Sequence, residues 1–318
     1  MRTIQEYLSC TFVWENGEFN MHPWHAALVL GGGGARGVAH LGVIGELVAA
    51  GMQAERIVGV SIGALAGALY AFEPDIVRVL ERTREFLSSP RFAQHQKLLM
   101  GTQTQVSATH GEETAYYRVT DQRTRRILHR AMSRHSLLPG RVLEDVVDAL
   151  LPDADIADAS IPLNIVTVDL QTGELVVFDK GPVRLAVRAS ASVPGIFPPV
   201  PHENRLLCDV GGICELPLDV ARAYSPETLI AVDVSMQLKR LSSAASAFDI
   251  VMRMNDISAA MYRERLDLQA DLVIRPNVGT VPWFDFTNSE AMVWAGATAA
   301  QHALSHFTPH GLWYQQLA

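Results

Sequence analysis

The sequence predicts an α/β protein whose parallel sheet is covered by helices. Apolar runs typical of buried strands occur at 26–30 and 57–60, and helix-favouring runs follow them at 38–50 and 64–70. Glycines fill the first junction between strand and helix, and a single serine, Ser61, occupies the second. A strand–helix–strand unit this short requires two parallel strands, and parallel sheets are buried beneath helices.

The remaining chain continues the alternation of short apolar strands with helices of 3.6-residue period. Helices are predicted at 75–87, 141–151, 183–192, 244–268 and 289–306, and strands at 163–169, 174–178, 206–208, 228–234 and 271–275. Pro194, Pro198 and Pro199 predict a rigid loop around Phe197. Neither an internal repeat nor a break in composition divides the chain. We therefore predict an N-terminal extension, residues 1–24, and one domain, residues 25–318.

Residues 88–135 differ from the rest of the domain because they are polar, locally basic and only weakly periodic. Arginines recur among apolar residues in the second half of this segment, at 118, 123, 125, 126, 130 and 134. One interpretation is a solvated helix face. The other is a lid, or a surface that docks on anionic lipid head groups.

The composition limits the classes of function. The chain has 318 residues, is 48% hydrophobic and 19% charged, and carries a net charge of −8, which argues against a general nucleic-acid binder. Its 3 cysteines have neither metal-ligand spacing nor a disulfide pattern, so we expect no metal site and a reducing compartment. No apolar signal-peptide core follows the first methionine, and no apolar run reaches the ~20 residues of a membrane span. We expect a cytoplasmic protein that at most contacts the inner face of the membrane.

The junction at Ser61 matches the pattern of a nucleophile elbow. Gly59 and Gly63 stand two residues before and two residues after the serine, which gives Gly-x-Ser-x-Gly between a strand and a helix. The turn must be sharp, and side chains at the two glycine positions would collide with the helix that follows. A serine held in this way exposes its hydroxyl at a helix N-terminus, where a developing negative charge is stabilised.

The glycine-rich loop, residues 31–37, is open to two interpretations. Gly32, Gly34 and Gly37 satisfy the Gly-x-Gly-x-x-Gly pattern of a dinucleotide-binding turn. That function needs an acidic residue at the end of the next strand, and the nearest one, Glu55, precedes the strand. The alternative is an oxyanion hole, because glycines let backbone N–H groups approach a substrate oxygen closely.

The base that would activate Ser61 also has two candidate arrangements. Asp209 ends a short strand just before Gly211 and Gly212, where active sites of α/β proteins form, and could accept the proton itself. A Ser-Asp-His order is the second possibility. It would use Asp209 or Asp233 with one of the histidines of the C-terminal region, His302, His306 or His310.

Five stretches together resemble the patatin-like phospholipase family, in particular its small bacterial members. They are the glycine loop GGGGARG, the elbow GVSIG, the Asp-x-Gly turn at 209–211, and the segments 168–174 and 188–199. Each is weakly specific alone, but all occur in the family's order. The resemblance covers roughly residues 26–87 and 137–300, and leaves out residues 1–24 and 88–135.

The resemblance implies a three-layer α/β/α sandwich and a Ser-Asp dyad that works without histidine, cofactor or metal. Ser61 would be the nucleophile and Asp209 the base, and the backbone of Gly32, Gly33 and Gly34 would form the oxyanion hole. Arg36, at the basic position of the family's loop, would fix the loop. The substrates implied are phospholipids, lysophospholipids or other fatty-acyl esters, cleaved through an acyl-enzyme.

One position departs from the family pattern. Val210 stands where the family has the first glycine of Asp-Gly-Gly, and a β-branched residue would be strained there if the backbone φ had to be positive. Two further hypotheses therefore stay open. The protein could be an acyltransferase on the same fold, or a non-catalytic lipid-binding or regulatory protein.

Overall fold

The computed structural model describes residues 23–107, 136–236, 238, 247–266 and 269–308. The strands are β1 Trp24–Leu30, β2 Met52–Val60, β3 Leu163–Asp169, β4 Leu175–Phe178, β5 Val200–His202, β6 Arg205–Cys208, β7 Leu229–Val232 and β8 Leu272–Ile274. The helices are α1 Ala39–Ala49, α2 Ile62–Phe72, α3 Ile76–Leu87, α4 Pro90–Ser107, α5 Arg141–Leu150, α6 Val183–Ser190, α7 Leu218–Arg222, α8 Ala247–Leu266 and α9 Ser289–Leu304. Short 3-10 turns occur at Gly34–Val38, Ile156–Asp158 and Gly211–Ile213.

The strands form one sheet in the order β5-β6-β3-β2-β1-β7-β8, and β4 pairs with β3 beside this path. The five central strands, β3, β2, β1, β7 and β8, pair in parallel, and the short strands β4, β5 and β6 pair antiparallel. The predicted α/β class with a mainly parallel sheet is confirmed. Two apolar cores, one on each face, hold the helices on the sheet.

The observed elements differ from the predicted ones where a segment is short or polar. Strand β5 was not predicted because it has only three residues, follows Pro199 and contains Pro201, so it shows no alternation of polar and apolar residues. Helix α7 was not predicted because it is only one turn long. Helix α4 occupies the first part of the basic segment, whereas residues 108–135 lie outside the described residues. The predicted N-terminal extension also lies outside them, except that β1 begins at Trp24 rather than Ala26.

One edge of β3 is shared by two strands in succession. Val166 pairs with Val60 of β2 and with Val177 of β4, so β2 and β4 lie on opposite edges. Val168 pairs with Cys208 of β6 and also with β4, so β6 lies on the same edge as β2. Strand β2 runs parallel to β3 and β6 runs antiparallel to it. The residues that follow Val60 and Cys208 therefore both arrive at the level of Thr167.

Helices α1 and α9 pack closely against each other through two glycines. A Cβ atom on Gly42 would overlap the carbonyl oxygen of Val293, and one on Gly296 would overlap the carbonyl oxygen of Ala39. The backbones of the two helices therefore touch. No helix in the described ranges has the length and apolar character needed to cross a bilayer.

We expect Gly296→Ala to lower the free energy of unfolding by about 1–3 kcal/mol, because the new methyl group forces α1 and α9 apart. Helix propensity alone predicts the opposite, a gain of about 1 kcal/mol. Thr298→Ala, on the exposed face of α9, is the matched control and should leave stability nearly unchanged. Urea unfolding measures both variants. A Gly296→Ala protein as stable as the parent would show that the helix contact is not tight.

Candidate active site

Ser61 occupies a strained turn between β2 and α2. Its backbone has φ 55° and ψ −123°, a conformation that costs energy for any residue except glycine. Gly59 and Gly63 make the turn possible, because a Cβ atom on Gly59 would overlap the backbone of Ala64, and one on Gly63 would overlap the carbonyl oxygen of Leu30. The residues flanking the predicted elbow therefore have the steric role that the sequence pattern indicates.

Ser190 holds this turn in place. Its hydroxyl accepts a hydrogen bond of 2.8 Å from the Ser61 backbone N–H and donates one of 2.7 Å to the Val166 carbonyl oxygen in the middle of β3. Ser190 is fully buried at the C-terminal end of α6. One hydroxyl thus satisfies two buried backbone groups and ties the elbow to the sheet and to α6.

Asp209 follows β6 and is held by two hydrogen bonds with backbone groups. Its N–H donates a hydrogen bond of 3.0 Å to the Ser192 carbonyl oxygen, and the Gly211 N–H donates one of 2.8 Å to its carboxylate Oδ1. Val210 has φ −69° and ψ −14°, an ordinary helical conformation, and the positive φ of 52° falls on Gly211. Val210 therefore introduces no backbone strain, and the Asp-x-Gly turn keeps its shape.

The structure brings the Asp209 carboxyl group to the Ser61 hydroxyl. The Asp209 residue is 5% exposed and Ser61 is 8% exposed, so both are shielded from bulk water. Burial raises the pKa of Asp209 from 3.8 to about 6, although hydrogen bonding to the Ser61 hydroxyl and to the Gly211 N–H lowers it in part. Among the described residues Asp209 has no ion-pair partner, so its carboxylate keeps its basicity.

The glycine loop lies against the elbow, and its three central N–H groups are not equivalent. A Cβ atom on Gly32 would lie 3.6 Å from Ser61 Cβ, but the Gly32 N–H points to the Glu215 carbonyl oxygen at 3.4 Å. The N–H groups of Gly33 and Gly34 have no acceptor among the described residues. Gly34 has φ 59°, and the carbonyl oxygen of Trp283 leaves no room for a side chain there. Two donors beside Ser61 are therefore unoccupied.

Arg36 and Gly37 anchor the second half of the loop. The Arg36 guanidinium donates hydrogen bonds of 3.2 Å to the carbonyl oxygens of Val234 and Val281, and burial lowers its pKa. A Cβ atom on Gly37 would overlap the side chain of Ile62, the residue after Ser61. The loop is therefore packed onto the start of α2 on one side and tied to the chain after β7 on the other.

The alternative acid, Asp233, belongs to a charged cluster at the end of β7. Its carboxylate lies 3.6 Å from Arg263 and 3.4 Å from Arg275, and Arg263 also contacts Glu215 at 2.8 Å. Burial raises the pKa of Glu215 to about 7. Asp233 is thus engaged by two arginines, whereas Asp209 faces Ser61.

Two of the three histidines considered for a Ser-Asp-His arrangement lie away from this site. His302 and His306 are exposed on and just after α9, with their rings 5.2 Å apart, and His310 lies outside the described residues. His40 is buried, but its Nε2 is engaged by the Gly31 carbonyl oxygen at 2.8 Å and its pKa is lowered to about 4 by burial. His40 therefore supports the glycine loop from behind.

An apolar cavity opens at Ser61 and runs between helices α2, α3, α4, α5 and α6. The empty space between its walls, together with the open solvent at its mouth, is about 1060 Å³. Gly34 and Trp283 lie at the wall beside Ser61, and leucine, valine and phenylalanine side chains form most of the rest. A long apolar group would fit this space with its polar end at Ser61.

Several contributors to this site have no signature of their own in the sequence. Ser190 lies within the 188–199 segment, but nothing in its spacing predicts a contact with residue 61. Trp283 follows a proline in a loop with no regular pattern. Helices α2, α3, α5 and α6, which also line the cavity, were predicted from their apolar patterns.

The chain is similar to known proteins over most of its length. A family model described as "Patatin-like phospholipase" matches residues 28–222. The chain is 34% identical over 213 residues to patatin-like phospholipase domain-containing protein 6 of Mus musculus, covering 66% of this chain and 14% of that protein. It is 28% identical over 301 residues to an NTE family protein of Mycobacterium bovis, covering 87% and 46%. Among solved structures, VipD from Legionella pneumophila is 13% identical with a TM-score of 0.45, covering 90% of this chain and 67% of that one.

We expect Ser190→Ala to lower the free energy of unfolding by about 1–3 kcal/mol, because it leaves the Ser61 N–H and the Val166 carbonyl oxygen buried without partners. Ser192→Ala is the matched control. Its hydroxyl makes one hydrogen bond, to the Arg188 carbonyl oxygen, so its loss should be smaller. Thermal unfolding compares the two variants. Equal losses would mean that the Ser190 bridge adds nothing to the stability of the elbow.

Proposed function

Given that the chain belongs to the patatin-like phospholipase family, we propose that it is a lipid acyl hydrolase with Ser61 as nucleophile and Asp209 as general base. One observation carries this proposal: the Ser61 hydroxyl faces a buried carboxyl group at the mouth of a deep apolar cavity. A fatty-acyl ester of a phospholipid or lysophospholipid meets both features, because it joins a polar carbonyl to a long apolar chain.

In the first half of the reaction, the Ser61 oxygen attacks the ester carbonyl carbon while Asp209 accepts the hydroxyl proton. The carbonyl oxygen becomes an oxyanion, and the N–H groups of Gly33 and Gly34 donate hydrogen bonds to it. The carbon–oxygen bond to the leaving alcohol then breaks. Asp209 returns the proton to that alcohol, and the acyl group remains on Ser61.

In the second half, water replaces the alcohol. Asp209 accepts a proton from the water as its oxygen attacks the acyl carbonyl carbon, and the bond to Ser61 then breaks. The proton returns to the Ser61 oxygen, and a fatty acid leaves. If another hydroxyl compound took the place of water, the same steps would transfer the acyl group. No feature of the described residues favours such an acceptor.

The surroundings of the site are consistent with a substrate drawn from a membrane and with a reducing compartment. Ile213 is 69% exposed in the turn after Asp209, and Met254 on the adjacent helix α8 is 56% exposed. These apolar side chains support peripheral contact with lipid.

Cys208 and Cys214 are free and buried, which supports a cytoplasmic location.

We expect Ser61→Ala and Asp209→Asn each to lower the turnover of a fluorogenic fatty-acyl ester by at least about 10³-fold, because each removes one reacting group. A fluorophosphonate probe should label the parent protein and not the Ser61→Ala variant. Ser305→Ala and Asp179→Asn, both on the exposed surface, are the matched controls and should keep full activity.

Folding of the variants is checked by thermal unfolding. The pKa of Asp209 is higher in the folded protein than the ordinary 3.8, so the folded state holds more protons and stability falls as pH rises from about 4 to about 6. Asp209→Asn removes this cost and should unfold at or above the parent's temperature at neutral pH. Retained ester turnover in a folded Ser61→Ala protein would refute the proposed nucleophile.

We expect kcat/KM for a neutral ester to fall as pH drops through the pKa of Asp209, about 6, because the general base must be ionised. Activity should therefore be constant above that pH and fall about tenfold per pH unit well below it. The measurement is a pH–rate profile on a water-soluble ester. A profile without a limb between pH 5 and 7 would argue against Asp209 as the base.

A further inference from the structure

We propose that the apolar cavity contains a polar subsite, formed by Thr83 and His95, that binds a hydroxyl or similar oxygen substituent on the acyl chain of the substrate. The proposal rests on the proposed function, because it specifies which acyl chains the cavity prefers. It goes beyond that function, which requires only an apolar chain.

The first observation is that two buried polar atoms have no partner. Thr83 is 9% exposed and His95 is 7% exposed, and both side chains line the cavity. Neither Thr83 Oγ1 nor His95 Nδ1 has a hydrogen-bond partner in the part of the chain that the structure describes. Besides Ser61 at the mouth, only the Trp283 indole adds another polar group to a wall of aliphatic and phenyl groups. An unpartnered polar atom in such a wall is costly unless a ligand or water satisfies it.

The second observation is that the two residues flank the same aromatic contact in the cavity wall. Helices α3 and α4 are joined by a two-residue turn, and Phe86 and Phe92, which both line the cavity, contact each other across it with ring centroids 5.3 Å apart. Thr83 lies three residues before Phe86, and His95 lies three residues after Phe92, so each shares a helix face with its phenylalanine. Both polar side chains therefore join the cavity wall beside the same pair of rings.

The third observation is that a carboxylate lies beside the other nitrogen of the His95 ring. Nε2 lies 3.1 Å from Asp145 Oδ2, although the two groups are not aligned as a hydrogen bond, and Arg91 holds the same carboxylate. In the tautomer that carries its proton on Nε2, Nδ1 is a hydrogen-bond acceptor, and the Thr83 hydroxyl can donate or accept.

These two groups are complementary to an alcohol. A hydroxyl on the acyl chain can donate to His95 Nδ1 and accept from Thr83 Oγ1, which satisfies all three groups at once. A plain methylene chain leaves both protein groups unpaired, so the cavity should discriminate against it. A water molecule could occupy the same position in the empty cavity. An unsubstituted chain would expel this water without replacing its hydrogen bonds, whereas a hydroxylated chain would replace them.

The test measures binding separately from catalysis. Octadecanoic acid and isomers with one hydroxyl at successive chain positions displace a fluorescent fatty acid from the parent protein. We expect one position to bind about three- to tenfold more tightly than the unsubstituted acid, the range that one net hydrogen bond provides. Thr83→Val, of equal volume, should abolish this preference, and Thr83→Ser should retain it.

Thr228→Val is the matched control. Thr228 is also buried with an unpartnered hydroxyl, but it lies before β7 and away from the cavity, so the preference should persist. Equal binding of all isomers would overturn the proposed subsite and would mean that Thr83 and His95 bind water instead. A preference for one isomer that survives Thr83→Val would overturn it as well. Failure of ester hydrolysis alone would refute the proposed function and leave this binding result standing.

Discussion

The meeting of Ser61 with Asp209 depends on a single edge of β3. Strand β2 occupies that edge as far as Val166, and β6 occupies it from Val168 onward. Because β2 and β6 approach from opposite ends, the residue after each strand leaves the sheet beside Thr167. Ser61 and the Asp209 carboxyl group are therefore positioned by backbone hydrogen bonds of the sheet, which are harder to displace than contacts between loops.

Two costs accompany this arrangement, and the surrounding structure offsets each. The left-handed backbone of Ser61 is strained, and the Ser190 hydroxyl stabilises it by joining its N–H to β3. The Asp209 carboxylate is buried with no cation beside it in the described ranges, and the Gly211 N–H donates a hydrogen bond that supports its charge. An arginine at this point would lower the pKa of Asp209 and weaken it as a base. The arginines of the region instead pair with Asp233 and Glu215.

The sequence predicted the groups that have local signatures. Gly59, Ser61 and Gly63 were recognisable because a sharp turn between strand and helix restricts residue type within five positions. Asp209 was chosen as the base on the family resemblance, because its position at the end of a short strand left the Ser-Asp-His arrangement open. That choice depends on the order and direction of strands, which local periodicity does not contain.

The same limit applies to the roles of individual backbone groups. The glycine loop was predicted to offer three N–H groups, but the Gly32 N–H is directed to Glu215, a residue whose position depends on the chain beyond β6. The strain expected at Val210 is absent because the positive φ falls on Gly211. Which residue of the turn has the positive φ cannot be predicted from the residue types alone, because the same sequence is compatible with a positive φ at either position.

Helix α4 shows how one polar residue can obscure a helix in the sequence. Its inward face carries Phe92 and Leu99, which belong to the apolar cores and line the cavity, with His95 between them. Helix α5 lines the same cavity with an unbroken stripe of valine and leucine, and that stripe predicted the helix. Helices are recognised by such a continuous apolar stripe. A buried polar side chain in the middle of the stripe, here His95, therefore weakens the pattern although the helix still packs its apolar neighbours.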